Sequence, residues 1–219
     1  MALGRDGAEI APGAIAVDRV RALESVLGDV PPGPGHRLVD RPDLAEWIQT
    51  SGLAIDAGEI IGRHAFPVRA ILFDKSEASN WSLGWHQDRT IAVAERTDLP
   101  GYDRWTTKDS IIHVEPPFPI IERMVSVRIH LDDVPETNAP LLVIAGSHLL
   151  GRLEESEIEA LVSRSAATAC LASVGDAWWF KTAIVHASAR AVGNRRRRVL
   201  QVDFSSDELP HPLRWRGIA

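Results

Sequence analysis

The sequence predicts a mainly β protein, a double-sheet jelly roll buttressed by N-terminal helices. Three observations point there. Helix-period patterns are concentrated ahead of Pro67, and beyond it come short, often alternating apolar segments separated by Gly, Pro, Asn or Asp. Helices followed by seven or eight strands indicate an all-β core rather than alternating βα units. The 219 residues are 45% hydrophobic and 25% charged, enough to bury one sizeable core. Sandwiches and barrels of this length commonly form one unit. Residues 1–219 are therefore expected to be a single domain, with a helical lead-in over 1–66 and a β core over 67–205.

Within the lead-in, "VDRVRALESVL" places apolar residues at 17, 20, 23 and 26–27, and "GDVPPGPG" ends that helix. "DRPDLAEWIQTSG" predicts a second helix, with Asp40 as cap, Pro42 in the first turn and Gly52 past the end. The strand candidates are "VRAILFD", "SLGWHQD", "MVSVRIHLDD", "APLLVIAG", "TACLAS", "GDAWWFK", "AIVHASA" and "RRVLQVDFS". "EESEIEALVSR" is a helical interruption between two strand groups. Residues from 94 to 120, rich in Pro, Asp and Thr, read as a long connection that covers a site.

Composition narrows the function classes. A net charge of -6 argues against a general nucleic-acid binder, which carries a basic footprint. The N-terminal stretch has no basic segment followed by an apolar core, so no signal peptide is expected. No apolar run approaches the roughly 18 residues of a membrane span. Cys170 is the single cysteine, which excludes an intramolecular disulfide and suits a reducing cytoplasm. The glycosylation-like triplet Asn80-Trp81-Ser82 has no meaning without secretion.

One stretch carries chemistry. "SLGWHQDRTIAV" places His86 and Asp88 two apart on a predicted strand, so both project from one face. Two histidines and one carboxylate leave open positions on a metal and suit non-heme Fe(II) oxygen chemistry. A rival pair, His130 and Asp132, has the same spacing. Gly84-Trp85 ahead of His86 favours the first pair, whereas Asp132 and Asp133 open a turn. For the second histidine, His36, His64 and His211 lie in loops or near element ends and read as surface groups. His148 follows a strand and His113 lies in the covering connection. His186 sits on an apolar strand, where a histidine is more often a satisfied core residue.

The run "NRRRRVLQVDF" follows His186. It reads as a solvated face, as a nucleic-acid patch, or as a strand sending Arg197 to one face with Val199, Gln201 and Asp203 and Arg198 to the other. An arginine projecting into a barrel needs an anion, and its planar fork suits a carboxylate.

Together, "NWSLGWHQD", "LDDVPETNAPLLVIAGSH" and "GDAWWFKTAIVHASA…RRRRVLQVDF" resemble the phytanoyl-CoA dioxygenase-like family of Fe(II)/2-oxoglutarate-dependent oxygenases, over about residues 67 to 205. The resemblance implies a double-stranded β-helix, the cupin-like form of the jelly roll, for residues 67–205. It implies His86, Asp88 and His186 as iron ligands, and Arg197 with Ser188 holding the far carboxylate of 2-oxoglutarate. Trp105 corresponds loosely to a tryptophan lining the co-substrate pocket. Ala139 stands where the family has glycine. Asp88 argues against the halogenating relatives, which have a small residue there. Under this resemblance His130, Asp132 and His148 are structural. The implied cofactors are Fe(2+), 2-oxoglutarate and O2, and the implied reaction hydroxylates a C–H bond of a small or medium-sized organic substrate, with succinate and CO2 as co-products. Asn80, Arg89, His113 and Arg128 are polar groups near the motifs and candidates for substrate contact. Trp81, Trp85, Trp178 and Trp179 either wall the pocket or fill the core. The competing reading is a non-catalytic jelly roll that binds a ligand or partner. A small-molecule partner is expected, with neither nucleic acid nor membrane.

Overall fold

The computed structural model describes residues 1–193 and 195–218. A short α1 (Leu3–Asp6) leads into β1 (Ala8–Ala11), α2 (Val17–Val26), β2 (Gly33–Arg37), α3 (Pro42–Thr50) and α4 (Leu53–Ile61). The strands β3 (Phe66–Lys75), β4 (Leu83–His86), β5 (Ile91–Val93), β6 (Asp103–Lys108) and β7 (Ile111–Glu115) follow, then α5 (Phe118–Arg123) and β8 (Val125–His130). The chain ends with β9 (Leu141–Ile144), α6 (Glu155–Ser163), β10 (Ala167–Cys170), β11 (Ala177–Lys181), β12 (His186–Ser188) and β13 (Arg197–Ser205).

Each of the eight expected strand segments contains a strand, and the strands assemble into three antiparallel sheets. The major sheet has the order β1-β11-β8-β13-β3-β2, the minor sheet β10-β9-β12-β4, and a small sheet β5-β7-β6. Period-two alternation explains how the major sheet serves two environments. Leu200, Val202 and Phe204 of β13 and Val125, Val127 and Ile129 of β8 join Leu23, Leu44, Ile48 and Leu53 of the helices in the largest core cluster. The helices therefore cover the outer face of the major sheet. The opposite parity (Arg69, Ile71, Phe73 and Lys75 on β3; Arg128 and His130 on β8; Arg197, Val199, Gln201 and Asp203 on β13) faces the space between the major and minor sheets.

Four sequence expectations need correction. The lead-in 1–66 is not purely helical: β1 and β2 form the two edges of the major sheet. "AEIA" and "GPGHR" have no strand signature because an edge strand pairs on one side only, where even Pro34 is tolerated. A further helix, α4, begins after Gly52, whose left-handed φ of 84° separates it from α3. Asp40 does not cap α3; Arg41 stands at that position without a side-chain cap bond, although Pro42 opens the first turn as expected. The stretch 94–120 is no loop: it holds the β6–β7 hairpin and the start of α5. Its strand pattern is hidden because β6 is largely exposed and the Asp103–Thr106 register is irregular. Among the described residues, no helix is long and apolar enough to cross a membrane.

Candidate active site

His86 at the end of β4 and His186 at the start of β12 are direct register partners in the minor sheet. Their ring centroids lie 4.3 Å apart. Each Nδ1 bonds to a carbonyl two residues earlier, His86 to Gly84 at 2.7 Å and His186 to Ile184 at 3.0 Å. A carbonyl can only accept, so the proton sits on Nδ1 and, in the metal-binding form of each ring, the Nε2 lone pair is free.

Asp88 reaches the same point by a route that strand periodicity does not explain, because β4 stops at His86. The intervening Gln87 is buried and clamps the chain. Its amide donates to Gly151 O (2.9 Å) and Ala183 O (2.8 Å) and accepts from Leu153 N (2.9 Å). One donor atom each from His86, Asp88 and His186 then falls within 4.8 Å of the others. Burial alone would raise the Asp88 pKa, but His186, Arg69 and His86 outweigh it and hold the carboxyl below the ordinary range. Burial, with the neighbouring His86, pushes His186 down to about 4. Two imidazole nitrogens and a carboxylate oxygen are the donor set that a hard-to-borderline divalent ion takes.

Behind Asp88 stands Arg69. Its Nη2 is 3.8 Å from Asp88 Oδ2, and its Nε donates to the fully buried Asp203 at 2.5 Å. Gln201 also donates to Asp203 at 2.9 Å. Breaking such a buried pair costs about 3–5 kcal/mol, so Arg69 is fixed in place beside the triad.

Deeper in the barrel lies an excess of positive charge. Lys75 is 1% exposed and faces Arg197 across the β3–β13 ladder. Its Nζ donates to Ser188 Oγ at 2.9 Å and to Ala189 O, and lies 4.9 Å over the Trp81 ring. Burial, then Arg197 and Arg128, pushes Lys75 down to about 7. Arg197, also buried, is pushed to about 9 by burial and Arg128. It donates to Ala139 O, and its Nε has no partner among the described residues. Arg128 donates to Gln201 Oε1 at 2.8 Å and lies 5.0 Å over Phe73. Among the described residues, none of the three is within ion-pair distance of an acid. A small cavity lined by Asp88, Arg128, His186, Gln201, Leu141 and Phe180 adjoins the triad.

The structure thus groups His86, Asp88, His186, Ser188, Arg128 and Arg197. Trp105 is elsewhere: it packs in the cluster of Tyr102, Val114 and Leu213, with the Arg96 guanidinium 5.4 Å over its ring. Asn80 is tied to Ala191 by two bonds of 2.9 Å, and Arg89 to Leu153 O. His113 is buried on β7. Of the tryptophans, Trp81 stacks on Lys75, Trp85 packs outward against α6, and Trp178 and Trp179 fill different core clusters. Asp132 accepts three bonds from Arg198, Arg196 pairs with Asp74, and the fork of Arg198 also reaches Glu24. His64 and His211 are exposed as expected, whereas His36 is half-buried and His148 is buried with Nε2 3.4 Å from Gly4 O. Lys75, Gln87 and Arg69 were not singled out from sequence. The inward parity of Lys75 was a usable signal; its register against Arg197 was not.

A family model, Phytanoyl-CoA dioxygenase (PhyH), matches residues 45–199. No curated protein matches the sequence. Among solved structures, AviO1 from Streptomyces viridochromogenes Tue57 superposes with a TM-score of 0.66 at 18% identity, covering 95% of this chain and 93% of that one. EctD from S. alaskensis with 2-oxoglutarate and 5-hydroxyectoine gives 0.70 at 18% identity, over 95% and 76%. HygX from Streptomyces hygroscopicus with nickel, 2-oxoglutarate and hygromycin B gives 0.64 at 16%, over 93% and 84%. At these identities the structural likeness establishes the fold.

Proposed function

Since the chain belongs to the phytanoyl-CoA dioxygenase family, a family of 2-oxoglutarate-dependent dioxygenases, we propose that it hydroxylates a C–H bond of a small or medium-sized organic substrate. The observation that carries this reading is the pairing of a two-histidine, one-carboxylate cluster with the buried Lys75 and Arg197 and the half-buried Arg128, none of which has an acid within ion-pair distance among the described residues. A free-standing core would not bury such charge, because its desolvation needs an anion to offset it. A dicarboxylate supplies that anion.

His86, Asp88 and His186 would hold Fe(II) through Nε2, a carboxylate oxygen and Nε2. Arg197, Lys75 and Ser188 would hold the far carboxylate of 2-oxoglutarate, the arginine through its planar fork and the lysine as a point charge. When bound, Fe(II) activates dioxygen at the expense of 2-oxoglutarate, so that substrate, O2 and 2-oxoglutarate yield hydroxylated product, succinate and CO2. Gln87 keeps Asp88 and His86 in their relative positions. The Nδ1 bonds hold both imidazoles in one tautomer and orientation. Leu141, Phe180 and Ile184 wall the cavity and limit water access.

Succinate release from Fe(II)-loaded protein supplied with 2-oxoglutarate and oxygen tests the assignment. His186→Ala and Arg197→Ala are each expected to lower substrate-free succinate release by about tenfold or more. Wild-type rates in both variants would remove these residues from the site.

A further inference from the structure

The Asp88 side of the barrel carries a second set of polar groups that neither iron nor 2-oxoglutarate employs. Arg37 on β2 is the register partner of Ile71, so it points to the interior face with Arg69. The β6–β7 turn docks against it: Asp109 Oδ2 accepts from the Arg37 backbone N–H at 3.1 Å and from its guanidinium at 3.4 Å. On the hairpin, Thr106 pairs with His113 and Lys108 with Ile111. Strand alternation then puts Thr106, Lys108 and His113 on one face, while Ile112 and Val114 turn the other way into a core cluster. Arg37 and Arg69 are close enough to this first face for their charges to bear on both Lys108 and His113.

His113 repeats the arrangement of the two metal-cluster histidines. Its Nδ1 bonds to Ile111 O at 3.0 Å, which leaves Nε2 a bare acceptor; that atom is buried with no partner among the described residues. Burial pushes its pKa down to about 4, so the ring is neutral. The Nε of Arg37 is likewise buried and without a partner among the described residues. Lys108 is exposed on its strand and has no ion-pair partner among the described residues. Nearby acids are engaged as well: Asp203 by Arg69, Asp88 in the histidine–carboxylate cluster, and Asp109 by the backbone N–H and Nη1 of Arg37. Arg37 Nη1 also donates to Gly35 O at 2.7 Å, so Nε is the buried donor that Arg37 leaves without a partner among the described residues. The face therefore offers cationic donors and one oriented acceptor, a combination matched by neither a hydrocarbon nor an amine.

We propose that this face binds the substrate, and that the substrate is a small carboxylic acid bearing a hydroxyl or N–H group: its carboxylate lies against Arg37 and Lys108 while its donor group bonds to His113 Nε2. This rests on the reading of Asp88 as an iron ligand, which puts the face beside the reacting centre. Arg37 and Lys108 select charge, and His113 selects the donor and sets the orientation.

The probes are a homologous series of 2-hydroxy acids, their methyl esters, and the same acids without the hydroxyl. Each is titrated calorimetrically into full-length protein loaded with Mn(II) and saturating 2-oxoglutarate. At least one 2-hydroxy acid is expected to bind about tenfold or more tightly than its ester, with the plain acid intermediate. Lys108→Glu, a change at an exposed residue, should abolish the preference for acid over ester. His113→Phe should erase the preference for hydroxy over plain acid while leaving the preference for acid over ester. Circular dichroism checks that both variants are folded. Binding of ester equal to acid, an unchanged acid preference in Lys108→Glu, or no binding by any acid overturns the proposal. The 2-oxoglutarate titration of the same wild-type sample separates the two readings. If 2-oxoglutarate binds and the acids do not, only the substrate assignment falls; if 2-oxoglutarate itself does not bind, the co-substrate assignment falls.

Discussion

Lys75 shows how much one buried residue can reveal. A primary amine placed against Arg197 and Arg128, with a hydroxyl and a carbonyl as its polar partners, is held at about 7. Near neutral pH it is therefore partly charged in the ligand-free protein. A bound carboxylate favours the ammonium form, so binding draws in a proton above that pKa and none below it. Affinity for 2-oxoglutarate should be flat below about pH 7 and weaken above it, by at most about tenfold per pH unit. Titration calorimetry of the Mn(II)-loaded protein in buffers of different ionisation heat measures both the affinity and the proton uptake. Lys75→Gln should bind more weakly and without this pH dependence. A wild-type affinity that stays constant through the alkaline range contradicts the placement of Lys75 at the carboxylate.

At the scale of elements, the N-terminal helices α2, α3 and α4 work as a backing plate rather than as part of the site. Their apolar residues meet the outer parity of β3, β8 and β13, and that contact holds the inner parity, with its arginines, lysine and glutamine, in fixed register. Leu44 of α3 is fully buried in this layer. Leu44→Ala is expected to destabilise the protein by about 2–5 kcal/mol, through lost transfer energy and the cavity left behind. Chemical denaturation would show this as a lower midpoint with an unchanged slope. A loss under about 0.5 kcal/mol, the range of an ordinary surface change, would mean that α3 is not part of the core. Helix and strand identities here follow local periodicity, which explains why α2, α3, α6 and all eight strand segments are legible in the sequence. The edge strands β1 and β2 and the exposed β6 are not legible, because half-paired or solvated strands lack a complete apolar face.

For the whole molecule, the proposed metal site of His86, Asp88 and His186 joins β12 to the end of β4, segments that are distant in the chain and adjacent only in the folded sheet. An unfolded chain has no such cluster, so metal binding should stabilise the native state alone. At about 100 times the dissociation constant the gain is about 2.7 kcal/mol, which for a chain of this size raises Tm by roughly 5–10 °C. Scanning calorimetry with and without Mn(II) measures it, and His186→Ala should show no shift. An equal shift in that variant would place the ion elsewhere.

The sequence by itself determined which residues of a strand share a face, where eight of the strands lie, and which side chains have the chemistry to hold a divalent metal and a carboxylate. It narrowed the first ligand pair to two candidates and left the second histidine open until family resemblance weighed in. Tertiary structure decided the rest: that His186 lies opposite His86, that Gln87 turns Asp88 back to meet them, that Lys75 faces Arg197, and that a hairpin stands where a loop was expected. The division has a physical cause. Periodicity and turn chemistry act over a few neighbouring residues, whereas register between distant strands is set by packing the two faces of the sheet at once, a constraint no local stretch contains.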